Sequence, residues 1–311
     1  MNHPLPRSIV CATDFSRNAA HAASAAAALA RFWKKPLLLL HAADEFNTHS
    51  DSAQHLEDFL RPVREQLNSE KQRLSAGGAQ VTAEIRHGQP AADAILAFIA
   101  EQSADLLVVS AVSKTTFARW TLGSVSEHLA EAAPAPTLVV RDAAPFDAWA
   151  RRERALKVFV AADFSPGADA ALRWVAGLRE LGPCEITAAH VDSPAEEGSR
   201  RGIHGVPSLT ENPPEVQRIL EHDLREKVAA ALGDAPVEIC VRASWGRVDA
   251  HLVQLATAAQ ADVLVVGTHQ RHGLARLRHG SVSRGVVRHA PMSVVCVPVD
   301  ASAAGQEESG K

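Results

Sequence analysis

The chain has 311 residues, 46% of them apolar and 22% charged, with a formal net charge of -4. That length suits two domains of ordinary size, each with its own core. The charge balance provides no broad basic field for nucleic acid or an acidic membrane.

From the N-terminus, MNHPLPRSIVCATD shows no apolar signal core. The longest low-polarity stretch, AAHAASAAAALARF, is too short to span a bilayer, so a cytoplasmic protein is expected. In chain order the predicted strands are SIVCATD, PLLLLHA, QVTAEIR, DLLVVS and TLVVR, then KVFVAAD, EITAAHV, VEICVRA, DVLVVG and SVVCVP. Several are near-continuous apolar runs, as in strands buried on both faces of a parallel sheet. Between them, segments such as AADAILAFIAEQ and VDAHLVQLATAAQ space apolar residues three and four apart, the period of an amphipathic helix. Cys11, Cys184, Cys240 and Cys296 lie far apart with no metal-ligand spacing, and reduced thiols are expected.

The order of elements occurs twice. CATDFSRNAAHAASAAAALAR matches VAADFSPGADAALRWVAGLRE, and Asp14 stands against Asp163. His41 stands against His190 at the same offset, each closing an apolar strand. Further on, SADLLVVS aligns with QADVLVVG, and LGSVSEHLAEAAPAPTLVV with HGSVSRGVVRHAPMSVVCV. Two copies of one unit therefore account for the length. The expected domains are 1–144 and 155–300, joined near PFDAWARRERA, with a disordered tail at 301–311. The second copy is longer mainly through the polar insert SPAEEGSRRGIHGVPSLTENPP. Alternating strands and helices predict an α/β fold: two doubly wound domains, each a five-stranded parallel sheet flanked by helices. Ligands of such sheets bind beyond the carboxyl ends of the strands, where Asp14, Asp163, Ser110 and Gly267 fall.

The D-F-S after strand one, the H-[AV] after strand two, the D-x-[LV]-V-V-[GS] strand and the G-S-V-S helix start together resemble the universal stress protein family, in its tandem, two-domain form. In its nucleotide-binding members the loop after strand four reads G-x-x-G, nine residues, then G-[ST]. The resemblance implies an adenine nucleotide such as ATP, with phosphates enclosed by that loop and the next helix start, and leaves a magnesium ion open. Adenosine would meet the strand-one Asp and the residue after the strand-two His. In the second copy these positions are Asp163 and Val191, with Ala161 and Val266 beside them. The phosphate positions are Gly267, His269, Gln270, Gly280, Ser281, Val282 and Ser283. Gln270 stands where the family has its second glycine, and a side chain there costs roughly 1 kcal/mol if positive φ is required. The first copy departs further: Ser110 and Ser113 replace both early glycines, Ala42 takes the adenine position, and Gly123 and Ser124 remain as a helix start with a serine cap.

His269, His272 and His279 crowd the same loop with Arg271, Arg276 and Arg278, but no converging carboxylate or thiolate supports a metal site. No G-x-S-x-G elbow, Walker loop or dinucleotide fingerprint is present. No catalytic residues are assigned, and the protein is expected not to be an enzyme, with weak ATPase or autokinase activity left open. Two functions follow. One is a stress-response regulator that binds an adenine nucleotide in its second domain. The other is a nucleotide-free scaffold for unknown protein partners. In either, the resemblance implies an internal pseudo-dimer through the last strands, with a homodimer of whole chains as an option.

Overall fold

The computed structural model describes residues 8–43, 53–111, 123–194, 211–244, 246–268 and 282–299. The chain divides into two units, residues 2–153 and residues 154–311. In the first, apolar runs form β1 (Ile9–Ala12), β2 (Leu37–Ala42), β3 (Val81–Arg86), β4 (Leu106–Ser110) and β5 (Thr137–Val140). All pair in parallel, in the order β3-β2-β1-β4-β5. The helices between them are α1 (Arg17–Trp33), α2 (Ala53–Ala76), α3 (Ala91–Gln102) and α4 (Ser124–Ala132). β4 is buried along its whole length, as a strand covered on both faces must be.

The second unit repeats this plan. Its strands are β6 (Leu156–Ala161), β7 (Cys184–Asp192), β8 (Val237–Ala243), β9 (Val263–Thr268) and β10 (Ser293–Pro298), in the order β10-β9-β6-β7-β8. Its helices are α6 (Pro166–Leu181), α7 (Pro214–Leu232), α8 (Val248–Ala258) and α9 (Val282–His289). In each unit the strand order reverses beside the first strand, and this opens a crevice at the carboxyl ends.

Both first helices start on the serine of D-F-S. Ser16 accepts from the N–H of Ala19 at 3.0 Å and Ser165 from that of Ala168 at 3.3 Å. Each hydroxyl satisfies a donor that the first turn leaves open. The alanines of α1 are nearly all buried, so short side chains let this helix lie close on the sheet.

The segment expected as a connector behaves differently. Residues Ala144–Ala150 form a further helix, α5, with Pro145 in its first turn and Phe146 and Trp149 buried. Pro145 presets φ where no N–H is needed, and the two aromatics fall three apart on one face. Trp149 lies 4.9 Å from Phe32 of α1, ring to ring, and Arg152 covers the other part of Phe32 at 5.4 Å. Trp149 is wholly buried, so Trp149→Ala should destabilise the first unit by about 3–5 kcal/mol. Chemical unfolding followed by tryptophan fluorescence and circular dichroism checks this; an unchanged midpoint would mean that α5 is not part of the core.

Candidate functional site

In the second unit the crevice lies between β6 and β9. Their register runs Val158↔Val263 to Val160↔Val265, so Ala161 and Val266 end side by side at its floor. Ala161 is also registered with Ala189 of β7, two residues before Val191. The structure thus brings Ala161, Val191, Val266 and Gly267 to one end of the sheet, with Asp163 on the turn leaving β6. His269, Gln270, Gly280 and Ser281 lie outside the described residues, as do Ser113, the remaining loop histidines and arginines, and the tail at 301–311.

The main chain at Val191 is set by where its neighbours end. Ala162 donates its N–H to the Ala189 carbonyl at 2.8 Å, and Ser244 donates to the Asp192 carbonyl at 2.7 Å. Ala189 therefore faces β6 and Asp192 faces β8. By strand alternation Val191 turns its N–H and C=O back toward the β6 side, where β6 has ended. The Ala162 carbonyl is met instead by His190, whose Nδ1 lies 3.2 Å away. The His190 ring packs against Phe164 at 4.9 Å. The first unit has the same device: His41 Nδ1 lies 2.7 Å from the Thr13 carbonyl and Phe15 stacks on the ring at 4.5 Å. Phe15 holds a left-handed φ of 59°, a conformation bulky residues avoid. The repeated histidine is thus a prop for the D-F-S turn, a role that the sequence did not assign to it.

The turn holds its carboxylate by one oxygen. Asp163 Oδ1 accepts from the Ser165 N–H at 3.0 Å and also from the Ser165 hydroxyl. In the first unit Asp14 Oδ1 accepts from the Ser16 N–H at 2.9 Å. Asp163 is exposed above the crevice and Asp14 is half-buried. Both are fixed in direction by a local turn, as Asx motifs are.

Gly267 has a packing duty of its own. A Cβ there would run into the peptide of Gly167, in the first turn of α6. Two glycines let β9 and α6 touch backbone to backbone. In the first unit the aligned residues are Ser110 and Asn18, so the close contact is specific to the second copy. Ser126, the first-copy counterpart of Ser283, donates its hydroxyl to the Ser110 carbonyl at 2.7 Å. The N–H of Gly123 is likewise directed inward, to Ala111 at 3.1 Å. The serine cap expected at Ser124 is not formed: α4 begins at Ser124 with Gly123 as its cap residue and no side-chain cap bond. Ser283 is buried and Val282 exposed on α9.

Two features escaped the sequence reading. Asp192, buried at the end of β7, accepts from Asn212 Nδ2 at 3.1 and 3.0 Å, and Gln217 extends the network to the Val241 carbonyl at 3.2 Å. Asp192 precedes the insert, Asn212 lies near its end and Gln217 follows it, so the network ties its two ends together. The buried Asp249 carboxylate sits directly over Gly285 of α9 and is held by Arg247 at 2.5 and 3.1 Å. The signal for the second was a glycine inside a helix that also carries a polar face. Among the described residues no cluster of metal-binding side chains occurs. No helix there is long and apolar enough to cross a membrane.

The Gly267–Gly167 contact carries its own prediction. Gly267→Ala should lower stability by about 1–3 kcal/mol through overpacking, with no nucleotide present. A urea midpoint equal to wild type would show that β9 and α6 have room to part.

Comparison with known proteins agrees with the repeated plan. The model of the Universal stress protein family matches residues 6–141 and again 155–298. A universal stress protein from Archaeoglobus fulgidus DSM 4304 superposes with a TM-score of 0.68, at 17% identity over 94% of this chain and 98% of that one. A putative universal stress protein from Pseudomonas aeruginosa UCBPP-PA14 gives 0.57, at 19% identity over 98% and 97%. A universal stress protein solved in complex with cAMP covers 45% of this chain and 99% of its own, at 27% identity and a TM-score of 0.38. Among curated proteins none matches the chain. With both copies matched, the chain belongs to the Universal stress protein family as a tandem of two such domains.

Proposed function

We propose that the second unit binds an adenine nucleotide at the carboxyl ends of β6, β7 and β9, as a regulatory ligand in a stress response. The observation that carries this reading is the main chain of Val191, turned toward the side where β6 has ended, with the fixed carboxylate of Asp163 on the turn above. A backbone N–H and C=O side by side offer one donor and one acceptor. Adenine presents the matching pair, an N1 acceptor and an N6 amino donor, whereas guanine presents them in the reverse order. The Asp163 carboxylate suits a ribose hydroxyl. The phosphates fall to the segment that includes Gln270, Gly280 and Ser281, which in the family's pattern ends at a helix start, where unpaired N–H groups favour an anion. We read the nucleotide as a signal and not as a substrate.

The first unit is the silent partner in this proposal. Its serine at 126 and glycine at 123 already spend their donors on the protein's own carbonyls. Ala42 stands where the second unit has Val191, and Ser110 where it has Gly267. By the family's tandem pattern we also propose that the last strands of the two copies pair with each other.

Titration calorimetry should give one ATP per chain and a weaker response to GTP; two equivalent sites, or a preference for GTP, would contradict the reading. Gln270→Gly restores the family's glycine and should tighten ATP by up to roughly tenfold, about 1.4 kcal/mol. Gly280→Val should abolish binding by crowding the helix start. If neither wild type nor Gln270→Gly gains melting temperature in millimolar ATP, the nucleotide-free scaffold is the correct function. The pairing is checked on separately expressed halves, which should self-associate; two stable monodisperse monomers would refute it.

A further inference from the structure

On the face of the second sheet that α8 covers, the two copies have diverged in a way that the nucleotide site does not explain. In the first unit Arg86 of β3 lies across this face. Its Nε meets Glu84 at 2.7 Å, its Nη2 meets Glu101 of α3 at 2.7 Å, and its guanidinium covers the Phe98 ring at 5.1 Å. The face is closed by a cation held between two carboxylates over an apolar ring.

In the second unit every part of that clasp except the arginine is gone. Cys240 replaces Glu84, Leu255 replaces Phe98 and Ala258 replaces Glu101. Arg242, the counterpart of Arg86, bonds instead to the carbonyl of its neighbour Val241 at 2.8 Å. What remains is an open groove of about 810 Å³ between β6, β7, β8 and the C-terminal end of α8. Phe159, Leu255 and Ala258 contribute to an apolar floor. Two carboxylates, Glu185 and Glu238, line it where the first unit has Pro36 and Thr82. Both are exposed, and Glu238 accepts from the Thr187 hydroxyl at 3.3 Å. The one lysine lining the groove, Lys157, stands in register with Glu185, so the carboxylates outnumber it. The C-terminal end of α8 adds partial negative charge, and its last turn holds no basic residue.

We propose that this groove is a docking surface for a protein segment that carries an arginine between apolar residues. The partner's guanidinium pairs with Glu185 and Glu238, beside the place that Arg86 fills in the first unit, while its apolar neighbours lie on Leu255 and Ala258. Charge complementarity and the intramolecular example in the first copy both select a planar cation, which carboxylates bind in a fork that an ammonium cannot match. The surface stands apart from the nucleotide site, so it does not depend on ATP binding.

The probe is a fluorescein-labelled peptide, acetyl-Ala-Leu-Arg-Val-Ala-amide, titrated with the full-length protein and followed by fluorescence polarisation. Saturable binding is expected, weakened roughly tenfold or more when citrulline replaces the arginine. Two variants locate it. Glu185→Gln with Glu238→Gln removes the charge from exposed positions and should weaken binding to the same extent. Cys240→Glu with Leu255→Phe and Ala258→Glu rebuilds the first-copy clasp, lets Arg242 close the groove, and should abolish binding. Absence of saturable binding to wild type, equal binding of the citrulline peptide, or binding unchanged in the Glu185→Gln, Glu238→Gln protein would each overturn the proposal. Because those two glutamates are exposed, their loss leaves the fold intact even if the triple variant does not fold.

Discussion

Burial of both faces of a parallel sheet is the constraint on which the rest of this molecule depends. Strands such as LLVV and VLVV carry no polar side to turn toward water, so helices must cover them above and below. Each covering helix returns the chain to the same end of the sheet, and all carboxyl ends emerge together. The crevice where the strand order reverses follows from that winding alone, before any ligand chemistry is chosen. The D-F-S turn and the histidine that props it are small additions to this frame. They fix one carboxylate at the mouth of the crevice, while strand alternation turns the main chain of Val191 toward the space where the first strand has ended.

The two copies share this frame and have distributed different tasks over it. In the first, donors fold back onto the protein: the Ser126 hydroxyl onto the Ser110 carbonyl, and the Gly123 N–H onto the Ala111 carbonyl. Its helix-covered face is closed by Arg86, and its first helix is covered by α5 with a buried tryptophan. In the second, a pair of glycines brings β9 onto α6, a glycine on α9 admits the Asp249 carboxylate, and the sheet face beneath α8 is left open. The thiols are alike in both units: burial pushes Cys11 up to about 12 and also raises Cys240. Neither thiol is a ready nucleophile near neutral pH.

Much of the fold was legible because buried parallel strands announce themselves as unbroken apolar runs, and because the order of elements occurs twice. The connector PFDAWARRERA was not legible as a helix. Its seven helical residues are too few for periodicity to show, and four charges follow them; only packing in the folded unit, Trp149 against Phe32, gives the buried Phe146 and Trp149 a place to go. At the site, Asp163 and Val191 could be named from motif order. The main-chain direction of Val191 follows from a hydrogen-bond alternation past the end of β6, and no spacing rule contains it. Gly267 read as a phosphate residue, yet its nearest constraint is Gly167, a hundred positions earlier. The Asp192–Asn212 tie escaped notice for a similar reason: it joins the residue before the insert to one near the insert's far end, and only folding brings them together.

The central claim is that the second copy, through the main chain of Val191, is where a nucleotide meets this protein. Amide chemical shifts recorded by heteronuclear NMR during an ATP titration address it directly. A saturable shift of the Val191 N–H is expected, with Ala42 at the same place in the first copy unmoved. A shift at Ala42, or saturable binding that leaves Val191 unperturbed, would contradict the account.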